Sequence, residues 1–145
     1  MEIETIREWF YLADADIDSA KLVKEVRPQH LEIICYHCEQ AVEKYLKGFL
    51  QANEIMPPHI HDLEKLCAMC SEKDIRFDTI IKECIYLTDF ATQLRYPQEI
   101  HITEYNVTKA LADAETVCHL EPLLELRSKL IEAQTGSRSV KSNWI

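Results

Sequence analysis

The sequence predicts an all-α fold, an up-and-down antiparallel bundle of four to five helices. Three observations lead to this fold class. Apolar residues recur at helical spacing along most of the chain. The 145 residues include only two glycines, Gly48 and Gly136, whereas strands joined by tight turns usually need more. A chain of this length with 47% apolar residues can bury one core, and short connections place successive helices antiparallel.

The first helix is predicted to begin at Thr5, because Thr5 and Glu8 have the spacing of a capping box. Asp14, Asp16 and Asp18 alternate with its apolar residues. A calcium loop with this alternation also needs a glycine and a distant glutamate, which are missing here. We therefore interpret the aspartates as a solvated helix face. The apolar stripe of this helix consists of Ile6, Trp9, Phe10, Ala13, Ile17, Ala20 and Val23.

A second long helix is predicted over about residues 31–53, after a break at Pro28. Residues 56–59 contain two prolines and are expected to form a rigid linker. A short third helix is expected over roughly residues 61–71. The apolar stripe of the second helix consists of Ile34, Cys38, Ala41, Val42, Tyr45, Leu46, Phe49 and Leu50.

The remaining helices are predicted from apolar spacing and capping residues. A fourth helix is expected over about residues 76–94, and Thr103 is a suitable cap for a fifth. Pro122 should interrupt the fifth helix, so that residues 122–133 form a separate helical turn. We expect a single domain over residues 1–133 and a flexible C-terminal tail over residues 134–145.

Four of the six cysteines form two pairs, Cys35 with Cys38 and Cys67 with Cys70, whose spacing matches a four-cysteine zinc site. Zinc pairs usually lie in tight turns near glycine, whereas both of these pairs fall within helical patterns. We interpret them, together with Cys84, as small hydrophobic residues of the core. We expect no metal and no cofactor, and a zinc-stabilised scaffold is the alternative.

The formal net charge of −9 argues against a general nucleic-acid coat, although one local basic site remains compatible with it. The N-terminus shows no secretory signal pattern. No apolar stretch is long enough to span a bilayer. We therefore expect a cytoplasmic protein without a membrane partner, in which the cysteines are reduced.

Four short motifs occur in order along the chain. They are Trp9, Ala13, Asp16 and Ala20; Gln40-Ala41-Val42-Glu43-Lys44 with Leu46-Lys47; His61-Asp62-Leu63; and Arg95-Tyr96-Pro97. Together they resemble the HEPN family (higher eukaryotes and prokaryotes nucleotide-binding domain) over about residues 5–120. The resemblance implies a four- or five-helix bundle that commonly pairs as a homodimer and acts on nucleotides or RNA. Many members are metal-independent ribonucleases, often toxins or defence effectors; others accompany a small nucleotidyltransferase, and some are non-catalytic.

The resemblance implies that Arg95 and His101 are catalytic, because active members carry an arginine followed after a short spacer by a histidine. Five residues separate the two here. Histidine can serve as base or acid near neutrality, and arginine binds phosphate oxygens. A two-fold dimer would bring two copies of each into one cleft. In the structural alternative, Arg95 caps the end of the fourth helix and His101 is an exposed loop residue.

We further predict that Lys44 and Lys47 contact substrate phosphate and that Tyr96 stacks on a base. In the structural alternative, Lys47 pairs with Glu43 four residues earlier, and Tyr96 packs in the core. Asp62 is expected to cap the third helix. The prediction is a dimeric, metal-independent endoribonuclease of toxin or defence type. The alternative, which Tyr96 favours because active members usually carry Asn, Asp or His there, is a non-catalytic nucleotide- or partner-binding module working with a small nucleotidyltransferase.

Overall fold

The computed structural model describes the backbone of residues 2–93 and 101–141, and the side chains of residues 2–90 and 101–134. Within these ranges the chain forms six α-helices and one 3₁₀ helix, with no strand. They are α1 (Ile3–Val26), α2 (Leu31–Ala52), α3 (Leu63–Lys73), the 3₁₀ helix (Ile75–Ile80), α4 (Ile81–Gln93), α5 (Glu104–Cys118) and α6 (Glu121–Lys141). None of the helices in these ranges is long and apolar enough to span a membrane. The all-α prediction is confirmed, and α6 adds one helix to the expected four or five.

Helices α1 and α2 form an antiparallel pair at the centre of the bundle. The ring centroids of Phe10 and Tyr45 lie 5.6 Å apart in an edge-to-face arrangement. Gly48 follows on the same face of α2, where a Cβ would come within 2.9 Å of Phe10 Cε1 and 3.1 Å of Trp9 Cβ. Glycine therefore permits the close approach of the two helices. Helix α2 also contacts α3, α4 and α5, so the other helices pack around it.

Two of the predicted caps are present. The Asp62 side chain accepts a hydrogen bond from the backbone N–H of Lys65 at 3.2 Å and caps α3. Thr103 caps α5 in a capping box completed by Asn106, whose Oδ1 accepts from the Thr103 backbone N–H at 2.9 Å. Both caps satisfy backbone N–H groups that a helix start leaves without intrahelical partners.

The predicted capping box at Thr5 is wrong. Helix α1 begins at Ile3, its N-cap is Glu2, and no side chain caps it. Ile3 packs against the core and Ile6 is fully buried. Burial of this apolar turn extends the helix upstream of the residue that local capping chemistry favours.

The predicted fourth helix is divided into two elements. Asp74 accepts a hydrogen bond from the backbone N–H of Arg76 at 3.0 Å and starts the 3₁₀ helix. Helix α4 begins only at Ile81. Phe77 and Ile80 of the 3₁₀ helix are buried nevertheless, because 3₁₀ spacing also places residues three apart on one face.

Helix α6 continues beyond the predicted domain boundary at residue 133. Its backbone is helical to Lys141, and the predicted tail residues 142–145 lie outside the described residues. Leu123, Leu126 and Leu130 of α6 are buried. Arg7 of α1 also donates to the Leu130 carbonyl at 3.2 Å. Packing against α1 therefore explains why α6 is a long element rather than a single turn.

The cysteines are core residues, as interpreted from the sequence. Five of the six are fully buried, and Cys118 is partly buried. The Cys67 thiol donates to the Phe77 carbonyl at 3.3 Å, and the Cys70 thiol donates to the Leu46 carbonyl at 3.5 Å. Among the described residues, no group of three or more His, Cys, Asp and Glu side chains is placed to hold a metal ion. The five buried residues are Cys35, Cys38, Cys67, Cys70 and Cys84.

Candidate functional site

The predicted catalytic residue His101 lies two residues before the cap of α5, and its side chain is exposed. The backbone that follows it is held against α4, because Asn106 Nδ2 donates to Tyr86 Oη at 2.8 Å. His101 therefore presents its imidazole at the surface from a fixed helix start. Arg95 and Tyr96 lie outside the described residues, so their catalytic and base-stacking roles stay predictions.

Lys44 is bound to α1 rather than free at the surface. Its ammonium donates to Asp16, and His37 Nδ1 lies 2.9 Å from the other oxygen of the same carboxylate. Burial pushes the pKa of Asp16 up, but the hydrogen bonds from His37 and Lys44 outweigh it and lower the pKa. A substrate phosphate would have to compete with Asp16 for Lys44, whose predicted role in substrate binding stays a prediction.

The aspartates of α1 are not a uniformly solvated face, which corrects the interpretation from the sequence. Asp14 accepts two hydrogen bonds from the Arg127 guanidinium of α6, at 2.8 and 2.9 Å. It also accepts one from the hydroxyl of the buried Tyr45. Only Asp18 of the three is exposed. The sequence pattern of α1 alone missed this because the partners lie on α2 and α6.

Glu43, Lys47 and His61 form a second polar group, in which Glu43 and Lys47 are buried and His61 is exposed. Lys47 Nζ lies 3.2 Å from Glu43 Oε2, and both side chains are less than 10% exposed. His61 Nδ1 lies 2.7 Å from the other oxygen of Glu43, with the histidine side chain 60% exposed. The pairing of Glu43 and Lys47, the structural alternative in the sequence analysis, is confirmed, although the pair is buried rather than on the helix surface.

Glu39 lies one turn before Glu43 on α2 and is fully buried. Gln40 Nε2 donates to its Oε2 at 2.9 Å, whereas its Oε1 has no hydrogen-bond partner within the described part of the chain. Burial raises the pKa of Glu39 to about 8; the Gln40 hydrogen bond lowers it and the charge of Glu43 adds to the rise. Sequence reasoning missed this residue. Position 39 lies four residues after Cys35 and three before Val42, and this spacing could have revealed a carboxyl group on the buried face.

Lys47 also lines a cavity of about 300 Å³ between α1, α2 and the linker 56–59. Trp9 and Leu12 of α1 and Pro57 and Pro58 of the linker contribute apolar walls. The sequence predicted a role for Lys47 but not this cavity. Its walls come from segments far apart in the chain, and helical periodicity does not show which of their side chains meet.

The family of this chain follows from comparison with known proteins. A family model for the HEPN domain matches residues 6–124, a segment that spans α1 to α5 and the first residues of α6. Comparison with curated proteins gives no significant match, and comparison with solved structures gives none either. The matched segment contains the motifs of the central helix, the start of α5 and His101, which lies two residues before the cap of α5. The chain therefore belongs to the HEPN family.

Proposed function

We propose that this chain acts on RNA as a homodimer and cleaves it without a metal ion, using Arg95 and His101 of both copies. Membership of the HEPN family supports a nucleotide- or RNA-related role in general. The observation that carries the finer proposal is His101 itself. It is exposed immediately before a capped helix start, where a substrate and a second copy of the chain can both reach it.

The chemistry requires a base for the 2′-hydroxyl, an acid for the leaving 5′-oxygen and a cation for the phosphate. One imidazole can act as base while the second acts as acid, and the two guanidinium groups stabilise the additional negative charge on the phosphate. A single copy supplies one group of each kind, so the cleft is complete only in a two-fold dimer. Such a cleft would be positive on a chain with net charge −9 and would direct RNA to that place.

The test is RNA cleavage by the purified protein in EDTA. We expect cleavage by the wild-type chain and loss of at least about 100-fold in rate for Arg95→Ala and His101→Ala. His119→Ala is the matched control, because His119 is an exposed histidine at the opposite end of α5. Absence of cleavage, or equal rates for all variants, contradicts the proposal. A monomer in analytical ultracentrifugation contradicts the two-copy cleft.

A toxin or defence role adds a cellular expectation to the same proposal. Induced expression of the wild-type chain should arrest growth, whereas His101→Ala expressed at the same level should not. Growth arrest by both proteins would separate toxicity from the proposed chemistry.

The second candidate function is a non-catalytic nucleotide- or partner-binding module that works with a small nucleotidyltransferase. Two observations favour it. Tyr96 follows Arg95 where active members usually carry a smaller polar residue, and the described lysines near the centre of α2 are both paired with carboxylates. It predicts thermal stabilisation by a nucleotide, or co-purification with such an enzyme. An unchanged melting temperature across a nucleotide panel, with no bound partner, contradicts it.

A further inference from the structure

We propose that the cavity lined by Trp9, Lys47 and the linker 56–59 binds one planar heteroaromatic base that carries a ring carbonyl. The cavity lies between α1, the C-terminal half of α2 and the linker, and has a volume of about 300 Å³. This is at the lower end of the range for small-molecule sites. The choice of a nucleobase among such heterocycles rests on the proposed nucleotide-directed function. The shape and polarity of the site are independent of it.

The walls of the cavity are largely apolar and include an aromatic side chain, so they suit an apolar ring. Trp9 and Leu12 of α1 and Pro57 and Pro58 of the linker supply this apolar lining. The position of Trp9 is fixed by the close approach of α2, since its Cβ lies 3.1 Å from the place of a Cβ on Gly48. Aromatic side chains bind bases by stacking without selecting among them. The prolines limit movement of the linker, so little ordering is needed on binding.

Lys47 supplies a hydrogen-bond donor in the lining of the cavity. Its side chain is only 8% exposed. A lysine ammonium has three donors, and within the described residues Glu43 is the one side chain that accepts from it, at 3.2 Å. A buried donor without an acceptor is costly. A ligand acceptor that enters the cavity would therefore gain a strong, charge-assisted hydrogen bond.

The charges around the cavity favour a neutral carbonyl over a phosphate. Glu43 balances the charge of Lys47, and the lining also contains the carboxylate of Glu8 and the imidazole of His59. The site therefore has no excess positive charge to stabilise a dianion. The amide of Gln51, also in the lining, provides a donor and an acceptor. This combination matches the adjacent C=O and N–H groups of uracil and guanine. Adenine can pair with the Gln51 amide through N6 and N7, but it has no carbonyl oxygen to accept a hydrogen bond from Lys47.

The experiment is fluorescence titration of the full chain carrying Trp144→Phe, which leaves Trp9 as its one tryptophan. The ligands are uridine, guanosine, adenosine, ribose 5-phosphate and oligouridylate. We expect saturable quenching by uridine and guanosine, at least about tenfold weaker binding of adenosine, and none of ribose 5-phosphate. Quenching by both uridine and oligouridylate assigns the site to bases from either source. Quenching by uridine alone assigns the site to free nucleosides, and quenching by oligouridylate alone assigns it to RNA.

Two substitutions connect binding to the cavity. In the same background, Lys47→Met and Gln51→Leu should each weaken uridine binding by at least about tenfold. Gln51 is only partly buried, so this variant keeps the test decisive if Lys47→Met does not fold. Lys82→Met, an exposed position on α4, is the control and should bind as the parent does.

Three outcomes overturn the inference: no quenching by any base at about 1 mM, quenching by ribose 5-phosphate equal to that by uridine, or unchanged binding in both cavity variants. The result is separable from the proposed ribonuclease activity. Base binding without RNA cleavage removes only the ribonuclease, and cleavage without any effect of bases on Trp9 fluorescence removes only the base site.

Discussion

The substitution Glu39→Gln should stabilise the protein at neutral pH and leave its stability nearly unchanged in mild acid. Glu39 is fully buried, and one of its two oxygens has no hydrogen-bond partner among the described residues. The amide has nearly the same shape as the protonated carboxyl group. Its oxygen can accept the hydrogen bond that Gln40 now donates at 2.9 Å. The substitution therefore removes an ionisable group without creating a cavity.

The magnitude follows from the difference between the folded and unfolded pKa values. Burial raises the pKa of Glu39 from its ordinary value of 4.5 to about 8. Between these values the folded chain keeps a proton that the unfolded chain releases, so the free energy of unfolding falls as the pH rises. Each pH unit in this window corresponds to about 1.4 kcal/mol. From pH 4.5 to pH 7 the free energy of unfolding of the wild-type chain should fall by about 3 kcal/mol because of Glu39, and that of the variant should not show this decrease.

The assay is urea denaturation of both proteins at pH 4.5 and pH 7, followed by circular dichroism. Other titrating groups are common to both proteins and cancel in the difference between them. Glu64→Gln, an exposed position on α3, controls for the loss of one carboxylate. If the difference between the wild-type chain and Glu39→Gln is the same at both pH values, Glu39 is ionised in the fold and the reasoning is wrong.

Three further predictions concern the packing of the bundle. Gly48→Ala should lower the free energy of unfolding by roughly 1–2 kcal/mol, because a clash 2.9 Å from Phe10 outweighs the better helix propensity of alanine; a higher melting temperature contradicts this. Asp62→Ala should lower the free energy of unfolding, measured by urea denaturation, by about 1 kcal/mol because it removes the cap of α3. An unchanged free energy of unfolding would show that the cap does not stabilise the protein. Iodoacetamide should label Cys118 of the native protein first, since the other five cysteines are buried, and early labelling of any of those five, mapped by mass spectrometry, contradicts the packing.

The helices that could be predicted are those whose stability comes from one continuous apolar stripe. The second helix was predicted over 31–53 and is Leu31–Ala52, because its stripe is long and prolines flank it. The start of α1 could not be predicted from Thr5, since burial of Ile3 and Ile6 decides it. The length of α6 depends on contacts with α1, and a stripe of three leucines does not show them.

The contacts of the candidate site were likewise predictable only in part. The ion pair of Glu43 and Lys47 was predictable, because residues four apart on a helix are neighbours wherever the helix lies. The partners of Asp16 and Asp14 were not, because they depend on how α1 is rotated against α2 and α6. The cavity could not be predicted either, because it forms where three segments that are separate in the sequence meet. Local spacing therefore predicts contacts within one helix, and the contacts between helices that shape the site need the folded chain.

The charges of α2 are not explained by stability. Glu39, Glu43 and Lys47 follow one another at intervals of four residues on a buried helix. Apolar side chains of similar volume in place of a buried ion pair are often neutral, or stabilising by about 1–4 kcal/mol, and Glu39 lowers stability at neutral pH by the argument above. The stripe ends where Lys47 faces the cavity. If a base binds there as proposed, Glu43 holds the ammonium in position, and His61 contacts Glu43 from the exposed side. The bundle then gives up stability along α2 in order to hold one donor where a ligand can reach it.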